Sequence, residues 1–305
     1  MKTLPKNALG PAKLEVSTIC LGGWPLGGGM GAIDEKQGIR VVHAALDNGI
    51  NFIDTAEGYR TSEHIIGQAL AGRRGDVVLA TKLSGEHSLT HIRSAIENSL
   101  RQLRTDYIDL YQIHYPSSIW PIGETMAELL KLKDQGKIKS IGVSNFSVEQ
   151  MAEASVHGQI TSAQPQYSML FRGVERDLLP YCLTNGIGTM IYGPIARGLL
   201  SGKYSTSHMF ISDDDRATHP SLTKAVRQAA VQICSRLEPW VQDHGYTLAQ
   251  LAIAWTLAHP AVTTAICGAK TPEQVIENCE AGRWQLTHGE IKEINALIEG
   301  LSPGV

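Results

Sequence analysis

The chain has 305 residues, 43% of them hydrophobic and 19% charged, which excludes a disordered or collagen-like polymer and suits a large buried core. Its 27 Lys and Arg against 30 Asp and Glu leave a net charge of −3, so the electrostatics supply no reason for a nucleic-acid or anionic-membrane partner. Five scattered cysteines, Cys20, Cys182, Cys234, Cys267 and Cys279, lack disulfide-framework or zinc spacing and read as reduced core thiols.

From Met1 to Cys20 there is neither the apolar run of a signal peptide nor an Arg-rich import pattern, so the expected location is the cytoplasm. Thr18 to Leu21 reads as a first strand. Asp34 with Gln37 predicts a helix start, Ile39, Val42 and Leu46 its apolar face, and Asn48-Gly49 its end. A strand over Ile50 to Asp54 follows, then a helix capped by Ser62 with Ile65, Ile66, Ala69 and Leu70 inward, then an apolar run from Val77 to Lys82. The unit repeats as helix Leu89–Leu103, strand Ile108–His114, helix Glu124–Gln135, strand Ile138–Val143, helix Val148–Val156 and strand Ile160–Gln164. A helix near Glu175–Thr184, strand Gly188–Tyr192, helix Leu248–Leu257, strand Val262–Ile266 and helix Pro272–Cys279 complete it. Eight strands alternating with helices predict a single (β/α)8 barrel domain over residues 1–305. The charge-free stretch Tyr246 to Ala269 is broken by His259-Pro260, so it reads as a buried helix and strand and not as a membrane span.

In such a barrel, polar residues at strand C-terminal ends face one mouth. Asp54, Lys82 and His114 end three consecutive strands, and Tyr59 follows Asp54 by five residues. Hydride addition to a carbonyl leaves an alkoxide that needs a proton. A phenol at its ordinary pKa of about 10 is a weak acid near neutrality, and a neighbouring ammonium lowers that value. Tyr59 as acid, Lys82 as its cation, Asp54 as the carboxylate behind the lysine and His114 as a neutral hydrogen-bonding imidazole form a coherent set for carbonyl reduction.

Five stretches then resemble the aldo-keto reductase family, in order and over nearly the whole length. They are Phe52-Ile-Asp-Thr-Ala-Glu-Gly-Tyr59 with Ser62-Glu63, Ala80-Thr-Lys82, Asp109-Leu-Tyr-Gln-Ile-His114, Gly142-Val-Ser-Asn-Phe-Ser147 and Gly268-Ala-Lys-Thr-Pro-Glu-Gln274. The likeness is nearest to bacterial general-purpose members of the inositol-operon and stress-protein kind. It implies a (β/α)8 barrel with an N-terminal β-hairpin and extra helices and long loops at the active-site face. It also implies NADPH (NADP+) as cofactor, a small-molecule carbonyl as substrate, and no obligate protein partner. Ser144, Asn145 and Gln164 would hold the nicotinamide carboxamide and Tyr192 would stack on the ring. Gly193, Pro194, Ile195, Arg197, Gly198 and Lys203 match the loop over the pyrophosphate. Gly268, Ala269, Lys270, Gln274, Glu277 and Asn278 match the adenosine end. Gly23 and Trp24 sit beside cofactor and substrate, with Trp24 and Tyr115 as walls of the carbonyl pocket. Thr271-Pro272 reads as a helix start, whose free N–H groups beside Lys270 suit a 2′-phosphate.

Other patterns compete. Gly27-Gly-Gly29-Met-Gly-Ala32 fits a loose dinucleotide-binding fingerprint, but it reaches Asp34 about a turn late and reads as a flexible substrate loop. His87 and His91 have helical metal-ligand spacing but are expected on solvent-facing ground, and the run Asp213-Asp214-Asp215 as a solvated loop. The rival functions are a Schiff-base lyase or aldolase built on Lys82 and a non-catalytic cofactor-sensing subunit.

Overall fold

The computed structural model describes residues 3–301, so the ends of the expected domain, 1–2 and 302–305, lie outside the described residues. The chain opens with an antiparallel hairpin, β1 (Lys6–Leu9) and β2 (Leu14–Ser17), and then alternates. In order come β3 (Ile19–Gly22), α1 (Glu35–Asp47), β4 (Phe52–Asp54), α2 (Ser62–Ala69), β5 (Val78–Leu83), α3 (Leu89–Leu103) and β6 (Ile108–Ile113). Next are α4 (Ile122–Asp134), β7 (Ile138–Ser144), α5 (Val148–His157), β8 (Ser162–Gln164), α6 (Leu178–Thr184) and β9 (Gly188–Tyr192). The last are α7 (Lys224–His244), α8 (Leu248–Leu257), β10 (Val262–Gly268), α9 (Pro272–Arg283) and α10 (His288–Leu297). Strands β3 to β10 are parallel and close into a barrel with β10 beside β3.

Local chemistry accounts for most boundaries. Asp34 caps α1 by accepting from the Gln37 amide at 3.0 Å, and Val41, Val42, Ala45 and Leu46 turn inward. Reciprocal capping boxes start α5 at Ser147, α8 at Thr247 and α10 at Thr287. Helix α2 departs from expectation: the residue at its cap is Thr61, without a side-chain bond, while the buried Ser62 hydroxyl pairs with Thr55 Oγ1 at 2.8 Å. Helices α7 and α10 were not expected. Helix α7 runs 21 residues with Pro239 inside it, and it buries Val226, Ala230, Ile233, Leu237 and Trp240 at helical spacing.

The hairpin seals the N-terminal end of the barrel. Leu9 and Val16 are fully buried and pack with Cys20, Phe52, Ala80, Leu110, Met190 and Ile266 in an apolar layer inside it. The chain comes so close here that a Cβ on Gly10 would lie 1.9 Å from the Thr161 carbonyl oxygen, with φ of +58° besides. All five cysteines are buried free thiols, and among the described residues no helix is long and apolar enough to cross a membrane.

Gly10→Ala must therefore either lift the hairpin or strain it. We expect a loss of about 2 kcal/mol or more in urea unfolding; wild-type stability would mean that the hairpin does not press on the barrel floor.

Candidate active site

At the C-terminal mouth lies a cavity of about 820 Å³, on the scale of sites for large ligands. Every residue that the sequence assigns to cofactor or substrate lines it, from Gly23 and Trp24 through Asp54, Tyr59, His114, Tyr115, Ser144, Gln164, Tyr192 and Arg197 to Lys270, Gln274 and Asn278. Lys82 alone stands back from it, fully buried behind Tyr59.

Strand register builds the charged centre. Asp54 on β4 pairs with Ala80 on β5, two residues before Lys82, and Lys82 pairs with Gln112 on β6. Lys82 Nζ donates to Asp54 Oδ2 at 2.5 Å and to the Thr55 carbonyl at 2.8 Å, and reaches Tyr59 Oη at 3.4 Å. Asp54 Oδ1 accepts from Gln112 Nε2 at 2.8 Å and from Gln164 Nε2 at 3.1 Å. Burial alone would discharge the lysine, but Asp54 and Tyr59 override it and its pKa is raised. A lysine held charged has no lone pair for imine formation, which removes the basis of the Schiff-base reading.

Tyr59 differs from the sequence expectation. Burial of the phenol outweighs the lowering by Lys82, and with Asp54 adding to the burial its pKa is raised, not lowered. The phenol thus holds its proton at neutral pH. A proton given from it to an alkoxide would still move downhill, because an alkoxide is a far stronger base than a phenolate, and Lys82 lies beside the oxygen that would carry the charge. His114 is pushed from 6.5 to about 3 by burial and then by Lys82, so its ring is neutral. Its Nδ1 meets Ser84 Oγ at 2.8 Å, which leaves Nε2 for the cavity. Tyr59 stands edge-on between Trp24 and His114, at ring-centroid distances of 4.9 and 5.5 Å, and Tyr115 stacks on His114 at 4.8 Å.

Farther along, Asn145 bonds the His114 carbonyl and Ser144 Oγ with its amide nitrogen and accepts from Tyr192 Oη at 2.9 Å, bracing the Tyr192 ring at the cavity wall. Ala196 and Arg197 take left-handed backbone conformations (φ of 48° and 56°) where the chain turns along the cavity. The Arg197 guanidinium there is half-buried, and burial lowers its pKa. At the far end Thr271 caps α9, while Gln274 Oε1 accepts from the Lys270 amide at 2.7 Å. The donor set suits a phosphorylated dinucleotide, with amides beside Asp54, the cations Arg197 and Lys203 along the wall, and a helix start beside Lys270.

Three loop expectations change. The glycine-rich segment is tied down: Lys270 Nζ donates to the Met30 and Gly31 carbonyls at 3.0 and 3.1 Å, and Asp215 N to Gly29 O at 3.3 Å. The acidic run is solvated only at Asp213, since Asp214 is buried against Arg216 at 2.6 Å and Asp215 meets Arg60 at 3.1 Å. His87 is buried beside Thr125 on α4 and does not face solvent. Sequence reasoning took Asp215 as solvated and named no role for Arg60, Arg216, His219 and Tyr204, which line the cavity with it, nor for Ser84 and Gln112, which hold His114 and Asp54. The available signals for the first group were the acidic run and the unusual length of the connection from 194 to 221.

The profile of the Aldo/keto reductase family matches residues 18–299. The chain is 39% identical to the aldo-keto reductase YhdN of Bacillus subtilis (strain 168) over 301 residues, covering 94% of this chain and 91% of that one. It is 32% identical to an NADH-specific methylglyoxal reductase of Escherichia coli (strain K12), covering 99% of each. A crystal structure of an aldo/keto reductase from Klebsiella pneumoniae in complex with NADP and acetate superposes with a TM-score of 0.77 at 31% identity, covering 98% of this chain and 96% of that one.

The depressed pKa of His114 has a stability consequence. Unfolded, the imidazole takes a proton as pH falls through 6.5, whereas folded it waits until about 3. Its contribution is complete above 6.5 and is lost progressively as pH falls through that window. In His114→Asn the decline of Tm between about pH 7 and pH 5 should be shallower than in wild type; parallel declines would mean that His114 does not sit buried and neutral.

Proposed function

The chain belongs to the aldo/keto reductase family, and from that premise we propose that Asp54, Tyr59, Lys82 and His114 carry out NADPH-dependent reduction of an aldehyde or ketone to the alcohol. The observation that carries the reading is the contact of the Lys82 ammonium with both Asp54 and Tyr59 at the cavity edge. The domain spans 1–305, and its partner in the reaction is a small-molecule carbonyl compound. NADPH, when bound, supplies the hydride.

The chain's own residues do the rest. His114, neutral and fixed through Ser84, directs Nε2 at the substrate oxygen and orients it without competing as acid. Tyr59 Oη gives its proton to the oxygen as negative charge develops there, and the Lys82 ammonium beside it stabilises the phenolate left behind. Asp54 keeps Lys82 charged and in place. Trp24 and Tyr115 form apolar walls, Tyr192 offers a ring face for the nicotinamide, and Ser144 with Gln164 borders its carboxamide. Arg197 and Lys203 take the pyrophosphate, and Gly268 to Lys270 with Gln274, Glu277 and Asn278 take the adenosine end. Steady NADPH oxidation with a reactive aldehyde separates this reading from a non-catalytic sensing role.

Tyr59→Phe should lower carbonyl reduction by about 10²-fold or more while NADPH affinity stays within about twofold, because it removes a donor and no cofactor contact. Turnover above a few per cent with an unchanged pH profile would remove Tyr59 from the acid role. Cofactor choice has its own test. Lys270 already donates to two loop carbonyls and no arginine stands at Gln274, so the charge reading a 2′-phosphate is shared. We expect kcat/KM to favour NADPH over NADH and Lys270→Ala to reduce that ratio about tenfold; an unchanged ratio would make the start of α9 a structural cap only.

A further inference from the structure

Two amides inside the barrel connect the carboxamide end of the cavity to the carboxylate behind Lys82. Gln112, on β6, is fully buried and lines no part of the cavity. Its Nε2 donates to Asp54 Oδ1 at 2.8 Å and its Oε1 accepts from Gln164 Nε2 at 3.0 Å. Gln164, on β8, gives its remaining N–H to the same Asp54 oxygen at 3.1 Å. The intervening strand makes room: Gln112 pairs with Gly142 on β7, where a Cβ would lie 3.0 Å from Gln112 Cγ and 2.4 Å from Ser162 Oγ.

The polarity of this chain of bonds is forced. A carboxylate only accepts, so the nitrogen of Gln112 must face Asp54 and its oxygen must face Gln164. The nitrogen of Gln164 must then point inward, with both hydrogens engaged. Its Oε1 is the polar atom left for the cavity that Gln164 lines. On the other side, Lys82 takes Asp54 Oδ2, so each oxygen of the carboxylate is held from one direction.

We propose that Gln112 is a positioning residue for the carbonyl reduction: it aims Asp54 at Lys82 and sets Gln164 with its amide oxygen toward the nicotinamide carboxamide, linking the cofactor's head to the acid machinery. This rests on the reading of Tyr59, Lys82 and Asp54 given above. Gln112 touches neither substrate nor cofactor and acts through its two neighbours.

The test uses the full chain with Gln112→Leu and, as a second and more pliable filler of the same space, Gln112→Met. Thermal melting checks that each is folded. Binding of NADPH and of its reduced 3-acetylpyridine analogue is read by quenching of tryptophan fluorescence. The analogue carries a methyl where the carboxamide has its N–H, so wild type should bind it more weakly than NADPH. With Gln164 no longer fixed, that discrimination should shrink about threefold or more, and kcat should fall about tenfold with a smaller change in the KM of the carbonyl substrate. The alkaline limb of the activity profile should also move to higher pH, because Asp54 with one donor fewer sets more negative charge beside Tyr59. Cys20 on β3, Glu63 on α2, His114 and Tyr115 after β6, Tyr192 on β9 and Arg197 after it also face this group, and they are the same in every variant. A purely structural glutamine would lower Tm and leave the cofactor discrimination and the pH limb in place. That result, in whichever variant is folded, overturns the proposal. If Tyr59→Phe itself stays active, the tetrad reading fails instead, so the two failures are told apart.

Discussion

The ion pair between Lys82 and Asp54 governs how the mouth of this barrel is built. Both side chains are withdrawn from water, at 0% and 3% exposure. Desolvating two such ions costs several kcal/mol for each, and their mutual attraction offsets it only when the remaining hydrogen-bonding capacity is filled as well. Here it is filled by the Thr55 carbonyl on the lysine side and by two glutamine amides on the aspartate side. That requirement explains why polar residues reach into a barrel interior that apolar layers otherwise fill, and why β7 carries glycine at 142 to let Gln112 pass. It also fixes Tyr59, whose hydroxyl meets the one direction of the ammonium that Asp54 and Thr55 leave open.

Much of this was legible in the amino-acid sequence because barrels repeat one unit. The alternation of short apolar runs with helical periodicity located all eight barrel strands within about two residues, and strand ends identified Asp54, Lys82 and His114 as convergent. Helix α7 carried its own signal in Val226, Ala230, Ile233, Leu237 and Trp240, but it falls outside the eightfold alternation and holds Pro239, which argues against a helix locally. Gln112 was out of reach for a different reason. Within a strand its partners are set by register and by a residue on the next strand but one, and no local pattern reports those.

The loops show the same limit from another side. A run of three aspartates and a run of glycines each look like solvated, mobile chain when read alone. In the fold they lie against one another, and Met30 bridges to Asp214 while Arg60 and Lys270 pin the edges. Pairing across nearly two hundred residues turns two weak local signals into one wall of the cavity. The direction of the Tyr59 shift was lost similarly, since the charge partner is visible in sequence and the depth of burial is not.

The hairpin that closes the bottom of the barrel bears on how the catalyst is recharged. Beneath Asp54 and Lys82 lies the layer of Leu9, Val16, Phe52, Leu110 and Met190, each fully buried. Such a layer conducts no protons. With Tyr59 as the acid proposed above, that floor offers its phenol no water from below, whereas the mouth, where the alcohol would form, opens directly on it. On that reading, resetting the acid and clearing the product share one doorway, used in both directions in each turnover.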